Sequence, residues 1–255
     1  MSQEPRIAVI TGAAQGIGRA IALRLADDGI DVAVNDIPSN EKKLLEVVAE
    51  IQAKGRRSIP LIGDVAVEGE VRGFIEQTVS DLGGIDIMVA NAGIARSVEL
   101  IDMSVEDWDC MISVNLRGVM LCYKYAAQQM IKQGRGGRIL GASSILGKKG
   151  AMTFSSYCAT KFAVRGLTQS LALEVSKHNI TVNAYCPGLI HTSMTSASTS
   201  GQSTDQHGNA VLPVPPSMPG AGPEVIASIV SYLVKPEAYF ITGQSIDVNG
   251  GRYMS

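Results

Sequence analysis

The sequence predicts an α/β fold: a single-domain, doubly wound parallel sheet of about seven strands with helices on both faces, filling residues 1–255. Three observations carry this expectation. Short runs rich in Ile, Val, Leu and Ala alternate with longer amphipathic stretches along the chain, the order that builds βαβ units. The short runs show little polar alternation, which suits strands covered on both faces. A glycine-rich turn separates the first run from the first amphipathic stretch, where folds of this kind hold a ligand.

The strands are expected at Ile7–Ile10, Asp31–Asn35, Ser58–Ile62, Asp86–Ala90, Arg138–Gly141, Ile180–Tyr185 and Ser245–Val248. Between them the helical period places Gly16–Asp28, Glu41–Lys54, Glu68–Asp81, Val105–Gln133, Ser155–His178 and Glu224–Lys235. No internal repeat or interdomain linker interrupts this order. One stretch breaks it: His191–Gly222 is rich in Ser, Thr and Gly and carries Pro213, Pro215, Pro216 and Pro219. A connection this long in a compact domain is either disordered or functional. It follows the sixth strand, on the side where ligands sit, so residues 191–222 are read as a substrate lid.

Composition narrows the function. Of 255 residues, 45% are hydrophobic, enough for one large core, and the net charge is −2. There is no basic stripe, which argues against nucleic acid. Met1–Arg6 lacks the apolar core of a signal peptide, and no apolar run reaches the roughly 18 residues of a membrane span. The four cysteines, Cys110, Cys122, Cys158 and Cys186, show no paired spacing and are expected as reduced thiols of a cytoplasmic protein. His178, His191 and His207 lack metal-ligand spacing, so no metal is expected.

The first strand runs into Thr11-Gly12-Ala13-Ala14-Gln15-Gly16-Ile17-Gly18. Glycines let the backbone approach a pyrophosphate, and the helix that follows offers free N–H groups and a partial positive charge. In this strand–turn–helix context the turn predicts a Rossmann-type dinucleotide site. The second strand leads to Asp36, whose carboxylate can accept from the ribose hydroxyls of NAD and would repel the 2′-phosphate of NADP. NAD is therefore the expected cofactor.

With these residues in place, the chain resembles the short-chain dehydrogenase/reductase family, in its ordinary, non-extended branch. The TGxxxGxG spacing of Thr11–Gly18 resembles the family's cofactor signature. Asn91-Ala92-Gly93 resembles its NAG motif, Asp64-Val65 its adenine-contacting pair, and Pro187-Gly188 with Thr192 its segment near the nicotinamide carboxamide. Further matches at Thr242-Gly243-Gln244 and Gly250-Gly251 extend the likeness over essentially the whole chain. The resemblance implies hydride transfer between a nicotinamide and a secondary alcohol or ketone, in a homotetramer. The apolar content of Val105–Gln133 and Ser155–His178 also points to self-association.

Tyr157-Cys158-Ala159-Thr160-Lys161 opens a predicted helix, and a Tyr and Lys four apart share a helical face. Ketone reduction needs a proton donor at the developing alkoxide, and alcohol oxidation needs a base there. A lysine cation about 4 Å away would favour the phenolate by roughly 4 kcal/mol at an effective dielectric near 20, so Lys161 is expected to lower the pKa of Tyr157. Ser143 and Ser144 both follow the fifth strand. The resemblance selects Ser144 to hold the substrate oxygen, because the family's serine keeps this spacing to the tyrosine. It also implies that Asn115, in Val114–Gly118, links Lys161 to solvent as a proton relay, and that Lys161 holds the ribose.

Lys161–Gln169 and Tyr185–Gly188 resemble the acetoin reductase/butanediol dehydrogenase branch. The expected pocket wall is apolar: Ile145, Ala151, Met152 and Phe154, with Met194 from the lid. It offers little to a second hydroxyl, so a bulkier alcohol or ketone, of terpenoid kind, is expected ahead of acetoin. A non-catalytic NAD-binding scaffold is the competing class, and the Ser–Tyr–Lys set argues against it.

Overall fold

The computed structural model describes residues 5–192, Thr195 and residues 220–254. Seven strands, β1 (Ile7–Thr11), β2 (Asp31–Asp36), β3 (Ser58–Ile62), β4 (Ile87–Ala90), β5 (Gly137–Ala142), β6 (Ile180–Pro187) and β7 (Ser245–Val248), form one sheet in the order β3-β2-β1-β4-β5-β6-β7. Every neighbouring pair is parallel. Pro60 has no N–H to donate, and it sits in the edge strand β3, where that is tolerated.

Strand side chains divide by parity. Ala8, Ile10, Val32, Val34, Ile87 and Val89 face one way. They pack on α1 (Gly16–Asp27), α2 (Glu41–Ala53) and α7 (Glu224–Leu233) through Ile21, Leu25, Leu44, Ile51, Ile226 and Val230. Ile7, Val9, Ala33, Met88 and Ile139 face the other way. They meet α3 (Glu68–Leu82), α5 (Val119–Gln133) and α6 (Ser155–Val175) through Phe74, Ile75, Tyr123, Met130, Val164 and Val175. Both faces are dry across β1, β2, β4, β5 and β6, so these strands need no polar alternation.

The expected helix Val105–Gln133 is not continuous. It is α4 (Val105–Ile112), a π-helical stretch Ser113–Gly118, and then α5. A π-helical stretch is a local widening of the turn, and helical patterns that adjoin it on both sides read as one run in the sequence. Similarly, the expected helix to His178 stops being α-helical at Val175 and ends in a tighter turn, Ser176–His178, closed by Asn179 at φ 58°.

The chain leaves β6 and is pinned where it returns. Ile190 bridges Ala221, and His191 N donates to Ala221 O at 2.9 Å. Most of the expected lid, including Met194, lies outside the described residues. The four cysteines are free thiols, Cys110 exposed and the others buried. No helix among the described residues is long and apolar enough to cross a membrane.

Candidate active site

The order of the sheet reverses between β1 and β4, and the glycine turn stands at the carboxyl end of that junction, the place where such sheets take ligands. Gly12 has φ +63°, and a Cβ there would lie 2.8 Å from Ala92 Cα. A Cβ on Gly18 would lie 2.2 Å from Gly12 O, so the turn folds back on its own helix only with glycine at both points. The NAG residues hold this turn. Asn91 Nδ2 donates to Thr11 O at 3.0 Å and Gly12 O at 3.2 Å, and Thr11 Oγ1 accepts from Asn91 N and Ala92 N. Tyr185 in β6 donates its hydroxyl to Asn91 Oδ1 at 2.9 Å.

Helix α1 begins at Gly16, with no side chain capping its first N–H groups. Those donors and the glycine cradle suit a pyrophosphate. Ile17 packs against the core and so directs the helix. Asp36 ends β2, 8% exposed. Its carboxylate accepts from Ala14 N at 3.0 Å, Ile37 N at 2.9 Å and Asn40 Nδ2 at 2.8 Å. A carboxylate has about four acceptor positions, so room for a ribose hydroxyl remains. Arg19 is engaged by Glu50, whereas Lys43 Nζ reaches Gln15 Oε1 at 3.3 Å. Asp64 Oδ1 accepts from Ala66 N at 2.9 Å, and Val65 is buried. Gly188 N donates to Val248 O, and Thr192 stands beside Gly16, its Cγ2 at 3.4 Å from where a Cβ would be.

A second group of side chains gathers at the carboxyl end of β5. Ser144 opens a tight turn, Ile145–Gly147, and accepts from Leu146 N at 3.1 Å. Tyr157, from the first turn of α6, lies close enough to the Ser144 hydroxyl for it to favour the phenolate. Ser143 turns the other way and donates to Lys161 O at 2.9 Å, so it supports the backbone. Lys161 is 3% exposed; its Nζ donates to Ala142 O at 2.9 Å and lies 5.3 Å from the Tyr157 ring centroid. Gly93 is adjacent: a Cβ there would lie 3.5 Å from Lys161 Nζ and 3.2 Å from Asn115 Oδ1.

The expected electrostatics need correction. Lys161 does not pull the Tyr157 hydroxyl below its ordinary range. Burial pushes Tyr157 up to about 12, against the opposing hydrogen bond from Ser144. Burial likewise pushes Lys161 down to about 8, with a small opposing influence from Cys186. Desolvation of the charged form is the dominant influence on each group. Asn115 stands close to this pair, beside Gly93. Its Oδ1 accepts from Ile94 N and its Nδ2 donates to Ile94 O, both at 2.8 Å. The side-chain amide thus fixes the chain after the NAG turn.

Of the expected pocket wall, Phe154 is buried, Ile145 and Ala151 are half-buried, and Met152 is 85% exposed at the surface. Thr153, between them, has φ 65°, a conformation rare for a β-branched residue. It is held there by Val98 N, which donates to Thr153 O at 2.8 Å, and by its hydroxyl contact with Ser97 at 2.7 Å. Thr11, Asn40, Ser97 and Tyr185 support the site and were not among the expected residues. Thr11, as the first letter of its motif, and Tyr185, in the run Tyr185–Gly188, carried a signal.

The fold and these two groups define the class of dinucleotide-binding oxidoreductases built on a doubly wound sheet. Residues 6–203 match the family model described as short chain dehydrogenase. A short-chain dehydrogenase/reductase of Armillaria gallica is 49% identical over 251 residues, covering 96% of this chain and 95% of the relative. A 3-oxoacyl-[acyl-carrier-protein] reductase of Staphylococcus aureus is 43% identical over 247 residues, covering 97% and 98%. Among solved structures, an acetoin dehydrogenase of Salmonella typhimurium superposes with TM-score 0.84 at 34% identity, covering 97% and 95%. The chain belongs to the short-chain dehydrogenase/reductase family. Family members are oxidoreductases that bind NAD(P) and act on small molecules.

Proposed function

We propose that this protein interconverts a secondary alcohol and a ketone with NAD(H), with Tyr157 as the proton-transfer group. The observation that carries this reading is the convergence of Ser144, Tyr157 and Lys161 beside the NAG turn. A bound nicotinamide supplies or accepts the hydride at C4. In the reductive direction Tyr157 donates its proton to the developing alkoxide, since a hydroxyl with a pKa near 12 stays protonated at neutral pH. Ser144 orients the substrate oxygen beside that hydroxyl. Lys161, with a pKa about 8, is mostly charged at neutral pH and can hold the ribose hydroxyls.

Support for NAD comes from Asp36, whose carboxylate at the end of β2 would repel a 2′-phosphate, while Arg19 is already paired. Lys43, which reaches Gln15 Oε1, is a nearby cation that opposes this preference. The apolar character of Ile145, Ala151 and Phe154 supports a bulky apolar substrate. The likeness to an acetoin dehydrogenase structure favours a second reading, a small hydroxyketone or diol. We further propose a homotetramer. The test is consumption of NADH or NADPH by the purified protein across ketones from acetoin to terpenoid size. NADH should exceed NADPH in kcat/KM by about tenfold or more, a discrimination of about 1.4 kcal/mol. Equal use of both cofactors refutes the role given to Asp36, and best activity on acetoin selects the second reading.

A further inference from the structure

The turn that carries Ser144 is held from behind by an ion pair that the proposed chemistry does not use. Gly147 N donates back to Ser144 O at 2.9 Å, and Lys148 N and Lys149 N donate back to Ile145 O at 3.0 and 3.2 Å. The Lys148 side chain, 6% exposed, then runs away from the reacting groups to β7. There its Nζ donates to Ser245 O at 2.9 Å and pairs with Asp247 Oδ2 at 2.6 Å. Two other elements grip the same turn. Tyr253, past β7, donates its hydroxyl to Lys148 O at 3.3 Å, and Arg165 in α6 donates to Gly147 O at 2.8 Å.

A buried ion pair is a weak source of stability, because desolvating two charges offsets their attraction. It does fix direction: an ammonium held between a carbonyl and a carboxylate tolerates little displacement. The pair joins β7, the last strand, to the four-residue step between Ser144 and Lys148. We propose that Lys148 and Asp247 are positioning residues, which clamp the Ser144 turn to β7 and so set the Ser144 hydroxyl against Tyr157. This rests on the reaction proposed above. Reacting groups displaced by about 1 Å can lose about a hundredfold in rate, so a clamp at the residue just after the turn can govern kcat without touching substrate.

The test uses Lys148→Met, Asp247→Leu and the double variant in the full-length protein, with three readouts. Turnover should fall about tenfold or more in kcat in each single variant, with NADH affinity by fluorescence titration held within about twofold of the parent. The double variant should recover the parent's melting temperature, since an apolar pair of similar volume replaces the ions. Its kcat should be no lower than that of either single variant, because one interaction has been removed in all three. Amide exchange at Gly147, Lys148 and Lys149 needs no substrate and should speed up in Lys148→Met while β5 amides stay protected. Parent-like kcat in a folded Lys148→Met overturns the proposal, as does a loss of kcat matched by an equal loss of NADH affinity. Unchanged exchange at the three amides overturns the clamp itself. Faster exchange in a protein with no turnover on any ketone would instead count against the proposed reaction and leave the clamp standing.

Discussion

A tyrosine pushed up to about 12 is a donor before it is a base. That sets the first prediction at the level of one atom. Tyr157→Phe keeps the ring and removes the hydroxyl, so NADH affinity should hold while kcat drops by about 10²–10⁴. Retention of most of the activity would sink the assignment. The buried lysine makes a second prediction, about stability. Its folded pKa is about 8, below the ordinary 10.5. Between those values the unfolded chain binds the proton more tightly, so the lysine's contribution is fully present above about pH 10.5 and is lost as the pH falls to about 8. The shift corresponds to about 3 kcal/mol. Lys161→Met lacks this dependence. Urea melts should show the variant gaining up to about that amount relative to the parent between pH 10.5 and pH 7. A constant difference across the range would mean that Lys161 is not desolvated as described.

At the scale of elements, the π-helical stretch Ser113–Gly118 is tied to the NAG turn through Asn115. Asn115→Ala leaves both the N–H and the C=O of Ile94 without their partner. An unmade buried hydrogen bond costs about 1–3 kcal/mol, so the variant should lose about 2–4 kcal/mol in denaturant melts. Asn115→Asp keeps the acceptor for Ile94 N and loses the donor, and should fall between the two. Equal stability of all three proteins would remove the structural role given to the amide. The element pattern was largely legible beforehand because the strands are sharply bounded apolar runs: Ser58–Ile62 and Ser245–Val248 hold to the residue. The π insertion was not, since α4 and α5 adjoin it directly and the three read as one helical run. Nor could spacing alone decide between Ser143 and Ser144. That choice came from a family likeness, and the opposite directions of the two hydroxyls account for it physically. The Lys148–Asp247 contact crosses 99 residues of sequence, and no local pattern announces a partner at that distance.

Among the described residues, several large apolar side chains stand exposed on the helices and beside them. On α6, Phe162 is 44% and Leu173 80% exposed, and the exposed Gly166, Gln169 and Ser170 lie on the same face between them. Val105, which opens α4, is 70% exposed, and Ile101 just before it 87%. Small residues flanked by large apolar ones let two helices approach closely, with ridges entering grooves. Monomers seldom leave such faces in water. The expectation is therefore a symmetric assembly in which α6 packs on a second copy. For a 26.9 kDa chain, light scattering at micromolar concentration should give a mass about four times the monomer's. Leu173→Glu with Phe162→Glu should reduce that mass, because burying two carboxylates against an apolar partner face is strongly unfavourable. The same substitutions should leave the monomer's sheet intact, as both side chains already point to solvent. Melting temperature should rise with protein concentration in the parent and lose that dependence in the double variant, since only the assembled state is favoured by mass action. A parent that scatters as a monomer refutes the assembly, and a double variant that keeps the parent's mass shows that the interface lies on another face.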